Sequence, residues 1–325
     1  MDSITIHPLA GGDDLDNVIE LCIGYRQTNG RLPLSDQSWI EINSKRRATG
    51  GNPPVGYVAR NSQNGDIMAY LHLSPDKAGS VIEVVVKSDL AGGEDIAREL
   101  IVRCVANLAP EEYPLYLWVS DLNRYLSRVA ESLGMSKHRE LYQMRKPLGI
   151  LVSNQTGADD VYDVSLQELD ISNRGLSFGT FQPGKDESSW LEMNNRCFVG
   201  HPDQSDWTID DLVAREDEPW FDPQGFILCE YEGHIAGSCW TKIHPATEPD
   251  GQPAGEIYVI CTDPAYQGKG IGGLLLKRAL DYFEQRCLPA AMLYVESTNE
   301  AALALYRRYG FSIYSTDTQY VLELA

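Results

Sequence analysis

Two stretches of the chain repeat one pattern at a fixed offset, and this constrains the fold more than any other feature. Leu117-Trp118-Val119-Ser120 leads, fifteen residues on from Val119, to Gly134-Met135-Ser136. Tyr294-Val295-Glu296-Ser297 leads, fifteen residues on from Val295, to Gly310-Phe311-Ser312, and Val295 and Gly310 lie 176 residues after Val119 and Gly134 respectively. Upstream, Gly65-Asp66-Ile67-Met68-Ala69 answers Gly233-His234-Ile235-Ala236-Gly237. Both read as a hairpin turn entering a strand. A tandem duplication accounts for these matches. It divides the 325 residues into two similar domains, as domain sizes of about 100–200 residues also suggest. The expected boundaries are a first domain over 1–148, a linker over 149–174 where periodicity is lost, and a second domain over 175–325.

Within the second half, Gly225 to Tyr231 and Ile235 to Thr241 read as antiparallel strands, and Glu256 to Thr262 as a third. Ile271, Leu274, Leu275, Ala279, Tyr282 and Phe283 fall at helical spacing, predicting an amphipathic helix to about Arg286. Ala291 to Val295 is an apolar strand. Ser297-x-x-Glu300 has capping-box spacing for a second helix, which Gly310 can close. Strand, Gly-rich turn, helix and strand in that order imply a parallel crossover inside an otherwise antiparallel sheet, an α+β (mixed α/β) fold.

Charge excludes one class of partner. The net formal charge is −20, and it is uneven: 16 basic and 19 acidic side chains in residues 1–150, against 11 and 28 in residues 151–325. Such a surface repels nucleic-acid phosphates. Seven cysteines without CxxC spacing, and six histidines without an HxxxH pair, argue for neither a disulfide framework nor a metal site. No apolar run reaches the length of a membrane span, and Met1 to Ile6 lack the features of a signal peptide. A cytoplasmic protein with small-molecule partners, binding neither nucleic acid nor membrane, is expected. It should be a monomer whose halves stand as a pseudo-dimer.

Gln267-Gly268-Lys269-Gly270-Ile271-Gly272-Gly273 lies between a strand and an amphipathic helix. Glycines let a backbone approach a ligand closely, and a helix start presents unpaired N–H groups, so the turn suits a diphosphate. It is read as neither a P-loop, since no Gly-Lys-Ser/Thr ends it, nor a dinucleotide fingerprint. Gln-x-x-Gly-x-Gly at a helix start, followed by a strand, then Asn299 and Tyr306, resembles the GCN5-related N-acetyltransferase (GNAT) family. The resemblance covers the second half and, in degenerate form, the first. It implies two tandem domains of that family, each with a parallel strand pair that splays apart, and acetyl-CoA as co-substrate. The coenzyme would lie on Gln267, Gly268, Lys269, Gly270, Ile271, Gly272 and Gly273, on the backbone of Ile260, Cys261 and Thr262, and on Asn299, Glu300, Ala301, Ala302, Leu303 and Ala304.

A narrower resemblance rests on separated blocks in order: Asn194-Asn195, Gly200-His201-Pro202-Asp203-Gln204, Trp220-Phe221-Asp222-Pro223, Trp240-Thr241-Lys242-Ile243-His244-Pro245, Gly255-Glu256-Ile257-Tyr258-Val259, and the tail Tyr314 to Tyr320. In the first half Pro33-Leu34-Ser35-Asp36-Gln37 and Leu71-His72-Leu73-Ser74-Pro75 join them. These blocks are similar to the mycothiol synthase branch of the family. The branch implies acetylation of the cysteinyl amine of cysteinyl-glucosaminyl-inositol by direct attack on the thioester. It also implies a substrate site of Asp36, Asp203, Lys242, Glu256 and Tyr294, shared between the halves.

That chemistry needs a base for the amine, donors for the carbonyl oxygen and an acid for the leaving thiolate. Glu256 is the candidate base and Tyr306 the candidate acid, with Tyr309 as its rival. Cys261 is not expected to act as a nucleophile, since no histidine lies near it in sequence. The first half departs from the family at Leu90-Ala91-Gly92-Gly93-Glu94-Asp95, where Glu94 and Asp95 would repel a diphosphate. Only the second domain is therefore expected to bind acetyl-CoA. The competing readings are a tandem acetyltransferase for another small amine and a non-catalytic acyl-CoA sensor.

Overall fold

The repeat becomes two copies of one element order. A computed structural model of the chain describes residues 4–29, 32–47, 53–77, 79–149, 175–201, 204–245 and 252–324, so the expected linker lies almost wholly outside the described residues. The first copy comprises β1 (Ile4–Pro8), α1 (Asp13–Asn29), α2 (Asp36–Arg47), β2 (Gly56–Asn61), β3 (Ile67–Asp76), β4 (Gly79–Val86), α3 (Gly93–Val105), β5 (Leu115–Ser120), α4 (Arg124–Ser132) and β6 (Ser136–Pro147). The second comprises β7 (Leu176–Thr180), α5 (Glu187–Cys197), α6 (Ile209–Glu216), β8 (Phe226–Tyr231), β9 (His234–His244), β10 (Ala254–Thr262), α7 (Ile271–Gln285), β11 (Ala290–Glu296), α8 (Glu300–Arg308) and β12 (Ser312–Leu322).

Strands of both copies form a single twelve-stranded sheet, ordered β1-β2-β3-β4-β5-β12-β6-β11-β10-β9-β8-β7. Equivalence of the copies would put β6 next to β5 and β12 next to β11. Instead the final strands are exchanged. β6 runs antiparallel to β11, from Pro147 opposite Ala290 to Leu141 opposite Glu296. β12 runs antiparallel to β5, from Asp317 opposite Ser120 to Leu322 opposite Leu115, and also pairs with β6.

Each copy contains one parallel pair, and each pair comes apart. β4 and β5 pair only over Ser80–Ile82 and Leu115–Leu117. β10 and β11 pair only over Gly255–Ile257 and Ala291–Leu293, although β10 runs on to Thr262 and β11 to Glu296. A bulge between Ile257 and Val259 turns β10 away from its neighbour at that point.

Alternation along the strands assigns the helices to faces. On β8, Ile227 and Cys229 join the core made with α7 and α8, whereas Phe226 and Leu228 join the core made with α5 and α6. In the first copy Ala59, Leu71 and Val84 pack with α3 and α4, while Val58, Tyr70 and Val85 pack with α1 and α2. The α5 side is aromatic: Phe226 stacks between Phe181 and Trp240, both at 4.4 Å, with the Trp190 ring edge-on to it.

One local expectation is corrected. Helix α8 starts at Glu300 and is capped by Asn299, whose Oδ1 accepts the Ala302 N–H at 3.1 Å. Ser297 stands two residues before that cap, still in the β11–β6 ladder, where its N–H donates to Glu140 O at 2.9 Å. Gly310 closes α8 as expected, with a φ of +85°.

The strand exchange makes a testable demand. Residues 1–149 alone lack both β12 and β11, leaving one edge of β5 open and β6 without either of its neighbours. This fragment is expected to be insoluble when expressed by itself and soluble when residues 175–325 are co-expressed. Light scattering and thermal melting of the two preparations check it. A soluble lone fragment with a cooperative melt would contradict the demand.

Candidate active site

The Gly-rich turn lies where β10 ends and α7 begins. Gly270 is the N-cap of α7 with a φ of +78°, a conformation that side-chain-bearing residues rarely adopt, and at Gly268, with a φ of +77°, no atom lies within 4 Å of where a Cβ would be. The helix start is therefore an open cradle of N–H groups at the positive end of a helix dipole, which fits a diphosphate. Lys269 adds a cation, its Nζ over the rings of Tyr231 and Tyr266. Gly268, Gly270 and Gly273 have the GxGxxG spacing of a dinucleotide fingerprint, but the sheet distinguishes the sites. A dinucleotide fold has a parallel βαβ unit in an open parallel sheet, whereas β10 pairs antiparallel with β9.

Behind the cradle, β10 and β11 diverge. The Asp263 N–H donates to Ala236 O on the β9 side at 3.0 Å. Alternation of strand amides then turns the Cys261 amide to β9 and those of Ile260 and Thr262 into the gap. Asp263 also braces the turn: its Oδ1 accepts the Ala265 N–H at 2.9 Å, and its Oδ2 accepts Arg196 N–H groups at 3.0 and 2.7 Å. The Cys261 side chain points to the α5 face, with Sγ 3.6 Å from Met193 Sδ and from Ser238 Oγ.

Helix α8 meets α7 at this point. A Cβ on Gly272 would touch Leu305, and the Tyr309 hydroxyl donates to Gly273 O at 2.9 Å. Tyr309 is thus committed to bracing the helix pair. Tyr306 is buried in the α7–α8 core, and no described side chain hydrogen-bonds its hydroxyl. Burial, with a smaller contribution from Cys239, raises its pKa well above the usual phenol value. In the expected coenzyme set, Leu303 is a core residue and Asn299 is occupied in capping α8.

Glu256 lies on the opposite face of the sheet, since its neighbour Ile257 belongs to the α7–α8 core. It sits across from Lys242 on β9 and Met292 on β11, and only 7% of its surface is exposed. His244, two residues along from Lys242 on the same strand face, places Nε2 2.6 Å from Glu256 Oε2. Lys242 Nζ donates to both carboxylate oxygens of Asp36, at 2.7 and 2.6 Å, beneath the rings of Trp220 and Tyr258. Burial disfavours the Lys242 charge, but Asp36, Glu256 and Tyr258 outweigh it, and the net pKa is raised. Lys242 is therefore a fixed cation. Tyr294 on β11 faces Gln143 on the exchanged strand β6, and its hydroxyl accepts the Gln143 amide N–H at 2.6 Å.

Asp36, Lys242 and Glu256 thus come together, Tyr294 lies one strand further along the same face, and Asp203 falls outside the described residues. Sequence reasoning missed His244, Gln143 and Arg215. His244 was legible from the two-residue period of β9. Arg215 is buried on α6, donating to Tyr258 Oη at 3.0 Å and to Gln37 Oε1 at 3.1 Å, with its guanidinium 4.1 Å from the Trp207 ring centre. Neither it nor Gln143 has a local sequence signal, because the contacts that bring them to the site, to Gln37 and to Tyr294, cross to the other half. In the first copy, Gly92 opens α3 with a φ of +77°, but Glu94 and Asp95 follow immediately, Glu94 held ionised by Arg128 at 2.6 Å.

Residues 188–311 match the Acetyltransferase (GNAT) family. A mycothiol acetyltransferase of Thermomonospora curvata is 35% identical over 311 residues, covering 94% of this chain and 93% of the relative. One of Acidimicrobium ferrooxidans is 35% identical over 325 residues, covering 95% and 94%. Among solved structures, a GCN5-related N-acetyltransferase from Sphaerobacter thermophilus superposes with a TM-score of 0.63 at 18% identity, over 98% of this chain and 95% of that one. A tandem GNAT protein from the clavulanic acid biosynthesis pathway gives 0.62 at 16% identity, over 99% and 98%. With its cradle, its paired gaps and relatives that match along nearly their whole length, the chain belongs to the mycothiol acetyltransferase family, tandem-domain acetyltransferases of the GNAT fold.

Proposed function

We propose that the enzyme transfers the acetyl group of acetyl-CoA to the cysteinyl amine of cysteinyl-glucosaminyl-inositol in the cytoplasm, yielding mycothiol. One observation carries the mechanism: Glu256 and Tyr306 belong to opposite faces of the sheet, Glu256 on the last paired stretch of β10 before the gap between β10 and β11 opens. A thioester threaded through that gap from the α7 cradle would present its carbonyl to one face and its sulfur to the other.

Each proton then has a place. A cysteinyl α-amine has an ordinary pKa of about 7.7–8.0, so a carboxylate can take its proton as it attacks. Glu256 accepts that proton, directly or through water, and His244 holds the carboxylate by its 2.6 Å contact. Ile260 and Thr262 amides stabilise charge on the carbonyl oxygen. Tyr306 gives its proton to the departing coenzyme thiolate. Asp36 and Lys242 wall the amine side.

Glu256→Gln is expected to lower kcat by about 10² or more while leaving acetyl-CoA affinity unchanged, with partial recovery at high pH as free amine accumulates. An unchanged kcat would remove Glu256 from the chemistry.

Tyr306→Phe should lose a similar factor, about 10², in kcat. Because burial raises the pKa of this phenol, its acid form persists to higher pH than a free tyrosine's. The wild-type rate should therefore not fall on the alkaline side below about pH 10. An alkaline limb near pH 8, absent in Tyr306→Phe, would contradict this.

Titration calorimetry is expected to give one acetyl-CoA per chain, abolished by Gly270→Glu, which puts bulk and negative charge at the left-handed N-cap of α7. A second tight site, or one surviving the substitution, would place coenzyme in the first copy.

A further inference from the structure

The start of helix α2 is built in an unusual way. Ser35 is its N-cap: Ser35 Oγ accepts the Ser38 N–H at 3.3 Å, and Ser35 O accepts the Trp39 N–H at 2.9 Å. In a capping box, a Glu or Gln three residues after the cap reaches back to the cap N–H. Here that position holds Ser38, which is too short. Glu83, from strand β4 some fifty residues later, fills the role instead. Its Oε1 accepts the Ser35 N–H at 2.6 Å, and its Oε2 lies 3.1 Å from Ser35 Oγ and accepts the Ser38 hydroxyl.

This clamp is buried, Glu83 being 7% and Ser38 2% exposed. Glu83 has no lysine or arginine partner among the described residues. A buried carboxylate without a cation is costly, offset here by three polar contacts and the positive end of the α2 dipole. Its energetic cost goes into one thing, the position of the first turn of α2. The next two side chains, Asp36 and Gln37, are those that cross to the second half, to Lys242 and Arg215.

We infer that Glu83 is a positioning residue for the amine substrate: by clamping Ser35 and Ser38 it sets Asp36 against Lys242 and so shapes the substrate side of the site. This rests on the proposed function, in which Asp36 and Lys242 wall the amine.

The experiment is a double-mutant cycle of Glu83→Ala with Asp36→Ala, using cysteinyl-glucosaminyl-inositol as amine and reading KM, kcat and the acetyl-CoA Kd. Glu83→Ala is expected to raise the amine KM about tenfold, to leave the acetyl-CoA Kd unchanged, and to add nothing in the Asp36→Ala background. Ser38→Ala, a milder change, should move the same parameter in the same direction, and it carries the test if Glu83→Ala does not fold. An unchanged amine KM in Glu83→Ala or, failing its folding, in Ser38→Ala overturns the inference. So does an effect that adds to that of Asp36→Ala, or a parallel loss of acetyl-CoA affinity, since these mark general destabilisation. If Asp36→Ala itself leaves the amine KM unchanged, the assigned substrate wall is wrong and the inference falls with it. If Asp36→Ala raises KM and Glu83→Ala does not, only the inference fails.

Discussion

Backbone N–H and C=O groups of a strand must find partners, and at the centre of this molecule each half finds them in the other. β12 supplies the ladder between β5 and β6, and β6 supplies the outer partner of β11. The two copies are thus joined by main-chain pairing that only concerted rupture can separate. That rigidity lets side chains from both halves meet at hydrogen-bond distance: Asp36 with Lys242, Gln37 with Arg215, Gln143 with Tyr294, and Lys77 with Ser205 O at 2.5 Å. A flexible linker between two independent sheets would give no such fixed geometry.

The same pairing explains why the polar groups on the substrate face can be buried. Lys242, Glu256 and Asp36 lie within one hydrogen-bonded neighbourhood, where each charge reduces the desolvation penalty of the next. The opposite face treats its titratable group differently. Tyr306 is enclosed by apolar residues, so burial alone keeps its proton on. One sheet therefore separates a carboxylate held among charges from a phenol held among hydrocarbons, beside the gap that opens past the β10 bulge.

Much of this was legible in the sequence because the signals are local. The period of two predicts β8 to β11, the 3.6 period predicts α7, and Gly268 and Gly270 mark the cradle through conformational need. The offset of 176 residues marked the duplication but not the exchange of β6 with β12, because register says nothing about which edge a strand joins. The capping of α8 was misplaced by two residues because Ser297 has a sheet partner that no nearby residue announces. Glu256 and Tyr306 came from resemblance, while His244, Arg215 and Gln143 became visible only once the strands and halves were set side by side.

The position of β12 in the chain has a consequence for biosynthesis. β5 ends at Ser120, and the strand that covers its edge begins at Ser312, about 190 residues later. At a synthesis rate of about 5–20 residues per second, the first half spends roughly 10–40 s outside the ribosome with that edge bare. The first copy cannot complete its sheet as it emerges, however stable its local elements are. The strand that completes its sheet is made only after nearly all of the second half, so the two halves finish their sheets together. During that interval the nascent chain depends on chaperones, or on its own surface charge, to keep a waiting β-edge from pairing with the wrong partner.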